Sequence, residues 1–171
     1  MKRFRIFSTS DSSVKELVST HHCIESTIQM VQGLYSNGGI RFKYVCGDED
    51  FLVNGSSGGL QQVLMILFVN AKDAIAGRPN ALISVNRQLQ GKNLLLEVCD
   101  NGPGIAAENC PRIFEPFFTT KPSGKGTGLG LAIAHRLITE MNGTLELAST
   151  NEAGSAFRIS LPLSETTKIT L

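Results

Sequence analysis

Long apolar runs are missing from this chain. The longest, Val63 to Val69, is seven residues, far short of the roughly 18 that a membrane-spanning helix needs. Charge of one sign is missing too. The 16 Lys and Arg nearly cancel the 15 Asp and Glu, leaving a formal net charge of +1, which gives no electrostatic reason to expect a nucleic-acid partner. Charged residues make up 18%, too few for a highly charged coiled coil, and the hydrophobic 42% excludes a disordered chain. Lys2, Arg3 and Arg5 sit near the start without a following apolar stretch, so no signal peptide is read there. Cys23, Cys46, Cys99 and Cys110 form no CxxC pair, which excludes the usual zinc and redox motifs. Reduced thiols in a cytoplasmic domain are expected. There is no internal repeat and no low-complexity tract. What is present is 171 residues, one domain's worth of chain, large enough to bury roughly two thirds of its unfolded surface.

Met1 to Ser10 shows no period and reads as a tail. From Ser12 to about Tyr35 the apolar spacing of Val14, Leu17, Val18, Ile24, Ile28, Val31 and Leu34 predicts a helix. Ser12 or Ser13 is placed to cap it and Asn37-Gly38-Gly39 to stop it. Ile40 to Val45 alternates as a strand, Gly47 to Asp50 is a turn, and Phe51 to Val53 is a short second strand. Leu60 to Ala76 is a strong helix whose expected buried face is Leu60, Val63, Leu64, Leu67, Ala71, Ala74 and Ile75. Leu82 to Leu89 and Asn93 to Cys99 make a hairpin around Gln90-Gly91-Lys92. Asp100 to Lys125 is too long for an ordinary connection, and such loops are usually functional. Thr127 to Met141 reads as a helix, then Thr144 to Ser149 and Ser155 to Leu161 as a second hairpin. Paired hairpins with helices between them predict a two-layer α/β sandwich, a mixed and mostly antiparallel sheet with helices on one face.

Four local signals could carry chemistry. Ile66, Asn70 and Asp73 share one helical stripe at i, i+4 and i+7. Asn70 there either bonds a neighbouring loop or offers its amide oxygen to a hard cation that carries phosphates. Asp100-Asn101-Gly102-Pro103-Gly104-Ile105 follows an apolar strand. It is either a plain turn or an acceptor deep in a pocket, with glycines that let backbone approach a flat ligand. Gly124-Lys125-Gly126-Thr127-Gly128-Leu129-Gly130 opens a helix, where free N–H groups and glycines suit phosphate oxygens. It is neither a Walker loop nor a convincing dinucleotide fingerprint. Phe114-Glu115-Pro116-Phe117-Phe118-Thr119-Thr120-Lys121 holds three phenylalanines expected to be buried as a lid anchor. Its Lys121 either meets a phosphate or is solvated.

In this order the four signals resemble the ATP-binding catalytic domain of bacterial sensor histidine kinases, within the superfamily shared with DNA gyrase, Hsp90 and MutL. LQQVLMILFVNAKDAI resembles the family's asparagine box, DNGPGI its first glycine box, FEPFFTTK its phenylalanine box, GKGTGLGLAIA its second glycine box and EAGSAFRISLPL its closing strand. The resemblance implies a Bergerat-type ATP-binding fold and a kinase that uses ATP and Mg2+. It implies that Asn70 ligates the magnesium and that Asp100 accepts from the adenine amino group. Gly102, Gly104 and Ile105 would border the adenine. Gly126, Thr127, Gly128, Leu129 and Gly130 would hinge the lid and face the phosphates, and Asp73 and Lys121 fill less certain ligand positions. Phe114, Phe117 and Phe118 would dock the lid.

The family's second asparagine, one turn before Asn70, is here Ile66, which cannot take a proton. That argues against the gyrase-type ATPase, keeps open a non-catalytic nucleotide-binding regulatory module, and suggests weaker magnesium or ATP binding. A protein-serine kinase of the same superfamily matches the boxes less well. His21-His22-Cys23-Ile24-Glu25 lies on a helix but does not resemble the family's phosphoacceptor box. The expected partners are therefore ATP, a phosphoacceptor (dimerisation) domain outside this chain and, indirectly, a response regulator. No nucleic-acid or membrane contact is expected of this segment, and its expected location is cytoplasmic, whether or not a longer protein carries a membrane anchor. The expected organisation is a tail and hairpin remnant over 1–36, the ATP-binding domain over 37–163 and a tail over 164–171.

Overall fold

The computed structural model describes residues 16–35, 39–45, 49–122, 124 and 126–170. The tail at Met1 to Ser10, the Ser12 or Ser13 cap, the stop at Asn37-Gly38 and the turn at Gly47 lie outside them. Among the described residues the chain forms strand β1 (Glu16–Ser19), helix α1 (Thr20–Leu34), β2 (Arg41–Tyr44), β3 (Glu49–Gly55), α2 (Ser57–Ala74), β4 (Leu82–Gln90), β5 (Asn93–Asp100), α3 (Gly130–Glu140), β6 (Thr144–Asn151) and β7 (Gly154–Thr170). The seven strands make one sheet in the order β1-β3-β7-β5-β4-β2, with β6 also on β7. Only β2 and β4 pair in parallel; the other strand pairs are antiparallel. The three helices pack together, α2 in the middle, over the sheet. This is the two-layer, mostly antiparallel sandwich that the element order predicts.

The first predicted helix begins later than expected. Glu16–Ser19 is a strand, because the same apolar residues fit a period of two: Val18 is fully buried opposite Val53, while Leu17 is half exposed. Ser19 is the actual cap, accepting from His22 N at 3.0 Å. Asp50 of β3 accepts from His21 N at 2.9 Å and pairs with the buried Arg87 guanidinium at 3.6 Å, so α1 starts on a fixed carboxylate. Val18, Cys23, Ile24 and Val31 enter the common core. The segment expected as a hairpin remnant thus packs, from Glu16 onward, as part of the sandwich.

Residues 164–170, expected as part of a C-terminal tail, continue β7. β7 runs on through Thr170 and pairs with β3 from Glu49↔Thr170 to Val53↔Leu163, across a register irregularity. Two strands that would each present unpaired N–H and C=O groups satisfy one another.

Helix α2 positions the site. Ser56 caps it, accepting from Gly59 N at 3.1 Å, so it starts three residues before the predicted Leu60. Leu60, Val63, Leu64, Leu67, Phe68 and Ala71 turn to the sheet and α1. Phe68 meets Phe42 edge to face at 5.4 Å between centroids. Ala74, expected inside, is exposed. Each large side chain so buried contributes roughly 1.5–3 kcal/mol, which fixes the rotation of the helix and so the direction of its other face.

Candidate functional site

That other face borders a cavity of about 1210 Å³ between α2, the ends of β5 and β7, and the loop from Asn101 to Leu129. Ile66, Asn70 and Asp73 all line it, as their spacing predicts. Asn70 makes no side-chain hydrogen bond among the described residues and lines the cavity. Asp73 is committed: Lys121 Nζ lies 2.6 Å from one of its oxygens and Lys72 Nζ 2.9 Å from the other. Burial pushes the Asp73 carboxyl up, but the hydrogen bonds and charges of the two lysines outweigh it and hold the group below its ordinary range. Lys121, the residue expected at a phosphate or in solvent, pairs with Asp73 at the cavity wall.

Asp100 closes the far end. It ends β5 opposite Ile83 and accepts from Gly102 N at 2.7 Å. Burial raises its carboxyl above the ordinary value, opposed by the backbone N–H groups of Gly102 and Ser155 and by the charge of Arg78. Gly104 and Ile105 line the cavity with it. Gly102 does not. It is buried behind the wall with its N–H spent on Asp100, and a Cβ there would lie 2.6 Å from Asp100 Oδ1. Its N–H holds the Asp100 carboxylate. Gly104 has φ +78, and a Cβ on it would stand 2.2 Å from the Asn151 carbonyl oxygen. Glycine is required there on both grounds.

Gly126, Thr127, Gly128 and Gly130 line the third side. The helix predicted from Thr127 starts only at Gly130, because Gly128 takes φ +67 and lies against the Phe117 backbone, where a Cβ would come within 2.4 Å of the carbonyl carbon. Leu129 stays off the cavity wall, its N–H donating to Thr127 Oγ1 at 3.3 Å. Leu129 carries no side-chain cap, and the first turn of α3 holds no acidic residue. The N–H groups at Gly130 and Leu131, both on the cavity, thus keep the positive end of the helix open to an anion. Ile66 packs beneath that turn, 3.2 Å from where a Cβ on Gly130 would be.

The phenylalanine loop divides. Phe114 packs on Phe157 and His135, at 6.4 and 5.5 Å between centroids. Phe118 lines the cavity under Arg112, whose guanidinium carbon is 4.5 Å from the ring centre. Phe117, expected to be buried, is 74% exposed. Its backbone has φ 68 and its N–H donates to Gly128 O at 2.9 Å, a geometry that turns the ring outward. His21 rests between Tyr44 Oη at 3.2 Å and Glu25 at 3.3 Å.

Several residues of this site were given no role by the sequence. Thr150 and Ser155 lie on alternating strands and join the site only through the β6–β7 pairing. Asn101 donates to Asn80 O and accepts from Leu82 N, both at 2.9 Å. The one available hint was an Asn inside a glycine-rich turn, where its amide satisfies local backbone.

An amide, a carboxylate and an open helix N-terminus around one nucleotide-sized hollow define a class, and the comparisons agree. Residues 55–165 match the family of histidine kinase-, DNA gyrase B- and HSP90-like ATPases, and the chain belongs to that family. Sensor histidine kinase ZraS of Escherichia coli (strain K12) is 34% identical over 153 residues, 90% of this chain and 32% of ZraS. Two-component sensor PprA of Pseudomonas aeruginosa is 42% identical over 120 residues, 66% of this chain and 13% of PprA. The chain therefore spans a third or less of these curated relatives. Among solved structures, the nucleotide-free catalytic domain of histidine kinase ThkA superposes with a TM-score of 0.76 at 28% identity, covering 86% of this chain and 95% of that one. Mycobacterial sensor histidine kinase MprB gives 0.74 at 28%, covering 88% and 98%. The chain is an ATP-binding catalytic domain of the histidine kinase type.

Proposed function

We propose that this domain binds Mg-ATP in the described cavity and presents the γ-phosphate to a histidine on a separate phosphoacceptor domain, in a longer two-component sensor kinase. The observation that carries the reading is that Asn70, Asp100 and the start of α3 face one hollow. Asp100 would accept from the adenine amino group, with Gly104 and Ile105 along the base. The open turn at Gly130 and the backbone of Gly126, Thr127 and Gly128 would take the phosphates. Lys121 would exchange Asp73 for a phosphate oxygen. Asn70 suits magnesium, because its amide offers a hard oxygen donor that makes no side-chain hydrogen bond among the described residues, and Mg2+ on a nucleotide needs few protein ligands. When bound, the ion supplies charge neutralisation at the phosphates. The chain's part is to bind, orient and shield, which carries most of a phosphoryl transfer.

We further propose that the unit runs from Glu16 to the end of β7 and works in the cytoplasm, where ATP is. Among the described residues no helix is long and apolar enough to cross a membrane. A response regulator would be reached only through the phosphoacceptor. Incubating the chain with labelled ATP and an isolated phosphoacceptor hairpin should yield an acid-labile phosphoprotein. An acid-stable product would mean a serine kinase. Nucleotide binding with no transfer to any hairpin would favour a regulatory module, which the apolar Ile66 beside the phosphate end supports.

A further inference from the structure

A polar tether to a distant strand holds Ile105 at the cavity wall. Its backbone N–H donates to Thr150 Oγ1 at 2.7 Å, across 45 residues of sequence. The same hydroxyl lies 3.1 Å from Ser155 Oγ. Ser155 is buried, lines the cavity, and follows Gly154, which lies against the Asp100 backbone. Thr150 itself is not on the wall. It and Ser155 are direct cross-strand partners at the tip of the β6–β7 hairpin. The tip fits the loop closely: a Cβ on Gly154 would come within 1.9 Å of Asp100 O, and one on Gly104 within 3.0 Å of Thr150 Oγ1. One hydroxyl thus joins both flanks of the Asp100 carboxylate, the loop after it and the strand beside it.

We infer that Thr150 is a positioning residue for the base of the nucleotide: it sets the width of the slot between Ile105 and the Asp100–Ser155 wall without touching the ligand. This rests on the reading of the cavity as an adenine-nucleotide site. Valine keeps the shape of threonine and removes the acceptor, leaving the Ile105 N–H unpaired and the loop free to shift. Serine keeps the hydroxyl.

The test is calorimetric titration of wild type, Thr150→Val and Thr150→Ser with ATP, ADP, AMP and GTP, alongside thermal unfolding. Thr150→Val should lose roughly tenfold in affinity for ATP, ADP and AMP alike, since only the base end is disturbed, and its preference for ATP over GTP should shrink. Thr150→Ser should recover the wild-type values. A role confined to hairpin stability would lower the melting temperature and leave base preference unchanged, which would overturn the proposal. So would wild-type ATP affinity in Thr150→Val, or no recovery in Thr150→Ser. Should Thr150→Val not fold, amide exchange at Ile105 in the wild type decides: protection supports the tether and fast exchange refutes it. A wild type that binds no ATP sinks the nucleotide reading along with this inference, whereas a binding wild type with an indifferent Thr150→Val sinks this inference alone.

Discussion

Replacing Asp73 by Asn should strengthen ATP binding. In the structure Lys121 is held by Asp73 at 2.6 Å, both side chains 34% exposed. Any phosphate that recruits Lys121 must first displace that carboxylate. A pair of this exposure is worth about 0.2–1 kcal/mol, and the neighbouring Lys72 contact at 2.9 Å need not break on binding. The gain in Asp73→Asn is therefore at most about fivefold in ATP affinity. It should shrink as salt rises, because screening weakens the competing pair as well. Asn is nearly isosteric with Asp, so the helix and cavity are preserved. Titration with ATP and AMP at low and high salt is the assay: ATP should gain and AMP, lacking the outer phosphates, should not. Weaker or unchanged ATP binding with intact folding, or an equal gain for AMP, would refute the argument that Lys121 moves from carboxylate to phosphate.

Further expectations concern the core, the departure at Ile66 and pH. Leu64→Ala should cost about 2–5 kcal/mol in denaturant unfolding, because Leu64 is fully buried in the common core; a loss below 1 kcal/mol would contradict the packing described. Ile66→Asn should raise ATP affinity by restoring a polar group beside the phosphate end, and unchanged affinity by calorimetry would count against it. ATP affinity should fall on acidification beginning above pH 3.8, the ordinary value of the aspartate carboxyl that burial raises at Asp100, since the protonated form stops serving as acceptor. The folding contribution of Asp100 has the opposite sense: its raised group favours the protonated folded state, so stability from it grows as pH falls through the folded value. Asp73, held below its ordinary 3.8, contributes stability above that value and loses it as pH falls through its lower folded value. A titration of ATP affinity flat from pH 7 to pH 4 would refute the role given to Asp100.

Helix α2 and the Ile66, Asn70, Asp73 face were legible because a period of 3.6 residues places those side chains without reference to the rest of the chain. The hairpins were legible for the same local reason, from Gly91 and the alternation on either side. What escaped depends on contacts between distant segments. Glu16–Ser19 is a strand only because β3 offers it an edge, and α1 starts at Thr20, capped by Ser19, because Asp50 and Arg87 arrive from two other strands. Residues 164–170 continue β7 because β3 has groups left to pair. In the site, the Lys121–Asp73 pair spans 48 residues and the Thr150–Ile105 bond 45. The outward turn of Phe117 follows from Gly128, which no apolar pattern encodes.

The central claim is that one amide holds the metal end and one carboxylate the base end of a single nucleotide. The most direct measurement is an ATP titration with and without magnesium on wild type, Asn70→Ala and Asp100→Asn. Magnesium should tighten ATP binding in the wild type. Asn70→Ala should lose that magnesium effect yet still bind AMP, and Asp100→Asn should lose AMP and ATP together. Binding that keeps its magnesium dependence in Asn70→Ala and its AMP affinity in Asp100→Asn would contradict the account.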